Sequence, residues 1–97
     1  MKIINTPKWL MPFGHGLTLY KLAFVRKDLT GYRRDYVIAH ELCHVHQWTE
    51  IGIFKFPYLY IKELIRMGYY QNKYEVEARE YGVVNADRWR KMCCGSN

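Results

Sequence analysis

The chain has 97 residues, 49% hydrophobic and 16% aromatic, with a formal net charge of +6. That length supplies one hydrophobic core and is too short for two, so a single domain over residues 1–97 is expected. No apolar run approaches a bilayer span, and no apolar leader core or small-residue cleavage site follows Lys2, which argues against membrane insertion and secretion and for a cytoplasmic protein.

The first elements are extended. Lys2-Ile3-Ile4 is a short apolar piece, and Pro7, Pro12, Gly14 and Gly16 then punctuate a loop. Residues 15–25 alternate and are rich in aliphatic and aromatic side chains, which predicts one strand, paired with residues 2–4 or with another short extended segment.

From residue 33 to residue 50 there is no Pro or Gly, and Val37, Ile38, Leu42, Val45 and Trp48 recur at helical spacing. Gly52 is the natural stop. This helix carries His40-Glu41-Leu42-Cys43-His44. Four residues advance a helix by about 400°, so His40 and His44 project from nearly one face, one turn apart, where a single metal reaches both. Glu41 stands about 100° from His40, beside any water at that metal. This is the HExxH arrangement of zinc hydrolases, with two neutral imidazole ligands and a carboxylate as general base.

A catalytic zinc site takes a third protein ligand. His46 lies about 240° round the helix from His40 and points away. No histidine follows it, so the third ligand is upstream His15 or a downstream carboxylate, the best stretch being residues 72–81 with Glu75 and Glu77. Two residues apart on a helix, those two acids face different sides.

Residues 57–67 open on Pro57 and end before Gly68, which predicts a helix, and another is expected from about residue 74 to 92. Three cysteines give no disulfide framework: Cys43 is expected as a small packed residue in the metal helix, and adjacent Cys93 and Cys94 as a tail feature. Basic residues are scattered from Lys8 to Lys91 with no nucleic-acid motif, so the charge reads as a solvated surface and nucleic acid is not the expected partner. The pattern as a whole is α+β, with a short N-terminal sheet and about three helices, the first carrying HExxH.

Ala39-His40-Glu41-Leu42-Cys43-His44-Val45-His46-Gln47, followed by Tyr74-Glu75-Val76-Glu77-Ala78-Arg79, resembles the small gluzincin-type metallopeptidase domains of bacteria and bacteriophages. In those an HExxH helix is answered by a Glu of an E-x-E-A pattern on a later helix, and its first Glu falls on Glu75. The resemblance implies a zincin-like minimal fold with Zn²⁺ held by His40, His44 and Glu75, and Glu77 as the rival ligand. It also implies an edge strand above the metal helix, where residues 16–21 would hydrogen-bond an extended substrate. Where the family usually has Asp, this chain has Arg79, which removes the carboxylate that orients a ligating His through its second nitrogen.

The function expected on that resemblance is zinc-dependent hydrolysis of peptide bonds in a peptide or protein substrate, with Glu41 as general base and with Tyr69, Tyr70, Tyr74 and His15 available to stabilise an oxyanion. A partner protein that presents the substrate fits so short a domain. Two alternatives belong to other classes: a catalytically silent zinc-stabilised binding or virion structural module, and a nucleic-acid-associated protease. A bacterial or phage-infected host cytoplasm, or association with the virion, is the matching location.

Overall fold

The computed structural model describes residues 1–12 and 14–94, with side chains described to Lys91. Three strands, β1 (Lys2–Thr6), β2 (Gly16–Leu19) and β3 (Leu22–Arg26), precede four helices, α1 (Gly31–Ile51), α2 (Lys55–Gln71), α3 (Lys73–Asn85) and α4 (Trp89–Cys94). A single 3-10 turn at Lys8–Leu10 interrupts the loop after β1. This is the expected α+β domain, with four helices in place of about three.

The sheet order is β1-β3-β2, with β1 parallel and β2 antiparallel to the central strand. The segment expected as one strand over residues 15–25 is therefore a hairpin. Its turn holds no Gly, Asn or Pro, so composition gave no signal for it. Tyr20 takes the turn at φ 57°, and its ring is held edge-on to Trp48 with centroids 6.3 Å apart. Of β3, the half-buried Phe24 faces away from Ala23 and Val25, which are fully buried.

The period of two places Gly16 and Thr18 of β2, opposite Val25 and Ala23, on the face that covers α1. Val25 there joins Leu29, Val37, Ile38, Ala39, Leu42 and Trp89 in the core. At Gly16 a Cβ would come 2.8 Å from Glu41 Oε2 and 2.9 Å from Val37 Cγ1. Only glycine lets the edge strand lie this close to Val37 and Glu41 of α1.

The uninterrupted α1 runs as expected and stops where Gly52, at φ 131°, donates its N–H to the Trp48 carbonyl. α2 starts earlier and ends later than residues 57–67, broken by Gly68 at φ 82° and ψ 170°. Phe56, 3% exposed, anchors α2 against Trp48 of α1 and Tyr74 of α3, each ring centroid 5.3 Å away. The expected helix over residues 74–92 is two helices. Asn85 ends the first, accepting the Arg88 N–H on its carbonyl at 3.1 Å. The turn brings Trp89 back onto α1, where its indole N–H bonds Asp35 Oδ1 at 2.9 Å, so burial of one large ring overrides continued helical propensity. The Cys93 and Cys94 side chains lie outside the described residues. Among the described residues no helix is long and apolar enough to cross a membrane.

Candidate metal centre

His40 and His44 stand one turn apart on the same side of α1, their rings 5.0 Å apart. α3 packs directly beside them, because Gly82 lets it approach Tyr36 so closely that a Cβ would meet the ring at 2.8 Å. Asn72, fully buried, caps α3 by accepting the Tyr74 N–H at 2.9 Å, and Glu75 follows in the first turn. Glu75 Oε1 lies 3.1 Å from His40 Nε2 and 3.2 Å from His44 Nε2. One ligand atom from each of the three residues falls within 4.8 Å of the others, a largely buried group that could hold a metal ion.

The other carboxylate oxygen of Glu75 is occupied. Tyr60 of α2 donates its hydroxyl to Oε2 at 2.5 Å, so Oε1 is the oxygen turned to the histidines. Tyr60 is itself fixed by stacking on Tyr74 and by its carbonyl, which accepts from Asn72 Nδ2 at 3.3 Å.

The second nitrogens of the two histidines differ. His44 Nδ1 meets Gln47 Oε1 at 2.8 Å. The Gln47 amide nitrogen donates to the Tyr74 carbonyl at 3.1 Å and to Glu77 Oε1 at 2.8 Å. Both of those groups only accept, so the amide cannot be turned over, and Oε1 must receive a proton from His44 Nδ1. With Nδ1 protonated, the lone pair available to a metal is on Nε2, the atom beside Glu75. His40 Nδ1, by contrast, is buried with no hydrogen-bond partner among the described residues. Arg79, which stands where a resembling domain would carry Asp, lies over the Tyr70 ring at 4.2 Å and donates to the Tyr70 carbonyl.

Glu41 is 5% exposed and takes no place in the three-residue cluster. Thr18 of the edge strand donates to its Oε1 at 2.7 Å. Burial raises the Glu41 pKa above the ordinary carboxylate value, against the opposing pull of His44 and His40. Burial acts the same way on Glu75, but hydrogen bonds from His40, His44 and Tyr60 outweigh it and hold that carboxyl well below the usual range. Burial would lower the His44 pKa, yet the hydrogen bond to Glu75 and the Glu41 charge raise it. Burial pushes the Cys43 thiol up to about 12, as suits a packed residue.

His40, Glu41, His44 and Glu75 line a cleft of about 620 Å³ between β2 on one side and α2 on the other. β2 is hydrogen-bonded to β3 along one edge only, and its Gly16, Leu17 and Thr18 line the cleft. Of the four oxyanion candidates, Tyr69 and His15 line this space. Tyr70 lies under Arg79, and Tyr74 is buried in the aromatic stack. His15 is exposed against Arg33 Nη2 at 3.3 Å and does not join the cluster. Glu77 is likewise outside it, holding Gln47. His46 points to Tyr81, away from the centre.

Gln47 and Tyr60 complete the site without having been assigned roles from sequence, and Thr18 and Gly16, expected only as part of a substrate-binding edge strand, also meet Glu41. For Gln47 a signal existed, since three residues past His44 it shares that helix face. Tyr60 carried none, because its contact joins two helices whose relative placement no local pattern encodes. No family model, curated protein or solved structure matches the chain, so its function is argued from this geometry.

Proposed function

We propose that the chain is a zinc metallopeptidase of the gluzincin type that hydrolyses peptide bonds with Glu41 as general base. The observation that carries this reading is a cleft holding two kinds of group at once: three converging donor atoms, and a buried carboxylate that is not one of them. Two imidazole nitrogens and one carboxylate oxygen are the donor set of a catalytic zinc site that keeps a position open, and the Nδ1–H form of His44 leaves its Nε2 lone pair for such an ion. Zinc bound there would supply Lewis acidity to the attacking water and to the substrate carbonyl.

The chain's own residues account for the remaining steps. Glu41, whose pKa burial raises above the ordinary carboxylate value, accepts the proton of the attacking water and passes it to the leaving amine nitrogen. Thr18 fixes the carboxylate while this happens, by its bond to Oε1. The open edge of β2 orients an extended peptide by main-chain hydrogen bonds, and Tyr69, which lines the cleft, is the phenol available to stabilise the developing oxyanion. A purely structural zinc site has no use for a buried Glu41, which favours catalysis over a silent binding or virion module.

Elemental analysis of the purified protein together with a peptide-cleavage panel tests the proposal. One zinc per chain and cleavage that chelation stops and zinc restores are expected. Full zinc occupancy with no cleavage across the panel would transfer the site to the binding-module reading.

A further inference from the structure

The outer face of α2 carries an apolar row that nothing in the fold covers. Phe54, Tyr58, Ile61 and Ile65 are spaced by four, three and four residues, which at about 100° per residue keeps them in one narrow sector. They are 86%, 65%, 54% and 81% exposed. Isolated exposed apolar residues are ordinary, whereas a periodic row on so short a chain marks a contact surface.

The two flanks of the row differ. On one side, about 100° round the helix, stand exposed Lys55, Lys62 and Arg66. Among the described residues only Arg66 has an acid near it, Glu63 at 3.8 Å. On the other side the row turns into the metal cleft, which Pro57 and Ile61 line, together with Tyr69 beyond the Gly68 break.

We propose that this face of α2 is a docking site for an acidic, amphipathic polypeptide segment that continues into the metal cleft, the role of that segment as substrate resting on the peptidase reading above. Charge complementarity assigns acidic residues to the edge beside Lys55, Lys62 and Arg66, and apolar ones to the row itself. The asymmetry of the flanks selects a chain over a lipid surface, because an interfacial helix has basic residues spread over its polar face, and a bilayer does not enter a cleft. A second copy of this protein would bring two rows of like charge to one interface.

The test uses the full chain as its zinc-loaded Glu41→Gln variant and a fluorescein-labelled probe of roughly 18 residues with Leu and Phe at helical spacing and Glu elsewhere. Saturable binding is expected, weakened roughly tenfold by Lys62→Glu with Arg66→Glu and by Ile65→Ser, and weakened again as salt rises. Equal binding of a probe with Lys in place of Glu, or no effect of these surface substitutions, overturns the proposal. Capture by phosphatidylglycerol vesicles in place of the probe reassigns the face to lipid, and a dimer that Ile65→Ser dissolves reassigns it to self-association; either overturns it. Binding of the probe, with no cleavage by the wild type of the probe or of any peptide in the panel, removes the peptidase reading and leaves the docking site standing. Cleavage of short neutral peptides with no probe binding does the reverse.

Discussion

The two halves of the candidate metal centre are built to different standards. On the His44 side, one amide reaches across from α1 to α3, and hydrogen bonds link His44 Nδ1 through Gln47 to Glu77 and to the Tyr74 carbonyl. On the His40 side the ring meets Glu75 through Nε2, while Nδ1 is buried and unpartnered among the described residues. The same helix carries both rings, so helical register aims a histidine but does not hold it. Holding it takes a partner for its second nitrogen, and a bridge to α3 through Gln47 supports that nitrogen on His44 only.

Removal of a donor atom breaks both halves and has the largest effect. His44→Ala, His40→Ala and Glu75→Ala should each abolish stoichiometric zinc uptake by elemental analysis, with Glu77→Ala weakening it no more than Glu75→Ala. If Glu77→Ala alone strips the metal, the assignment of Glu75 is wrong. Gln47→Leu, which breaks only the supported half, should weaken zinc affinity by about 10- to 100-fold in a competition titration with a chelating dye. An unchanged affinity would mean that His44 needs no support.

Arg79→Asp acts on the His40 side. It returns a carboxylate four residues after Glu75, and zinc affinity should rise, by up to about tenfold if the new group reaches His40 Nδ1. The same titration would show a fall if the Arg79 packing on Tyr70 matters more to α3 than the missing bond. A smaller effect is expected from pH. In the metal-free protein the folded-state pKa of His44 is raised, so its pairing with Glu75 stabilises the fold fully below the ordinary histidine pKa and is lost as pH rises through the raised value. Zinc requires the Nε2 proton to leave, so its stabilisation grows over the same range. The gap in thermal midpoint between zinc-loaded and zinc-free protein should therefore widen from about pH 5 to pH 8, and a gap that narrows would contradict this linkage.

Local pattern revealed what local chemistry determines. The span without Gly or Pro made α1 legible, the His spacing made the shared face of His40 and His44 legible, and helical phase separated Glu75 from Glu77. What stayed hidden depends on distant contacts. Tyr20 forms a turn without turn residues because Trp48 packs its ring, α3 ends before α4 because Trp89 finds the core, and Tyr60 reaches Glu75 because Phe56 seats α2. The departure at Arg79 was visible in the sequence, but its counterpart, an unpartnered nitrogen on His40 and not on His44, required the helices to be placed.

The most direct measurement is peptide hydrolysis by zinc-loaded Glu41→Gln beside the wild type, with metal content and thermal midpoint recorded on the same samples. Glu41 belongs to no ligand set and its buried carboxylate is costly to charge, so the variant should keep its zinc and its midpoint. Its hydrolysis should fall by about 10²-fold or more, the loss expected for a general base. Undiminished hydrolysis in a variant that retains zinc would contradict the account.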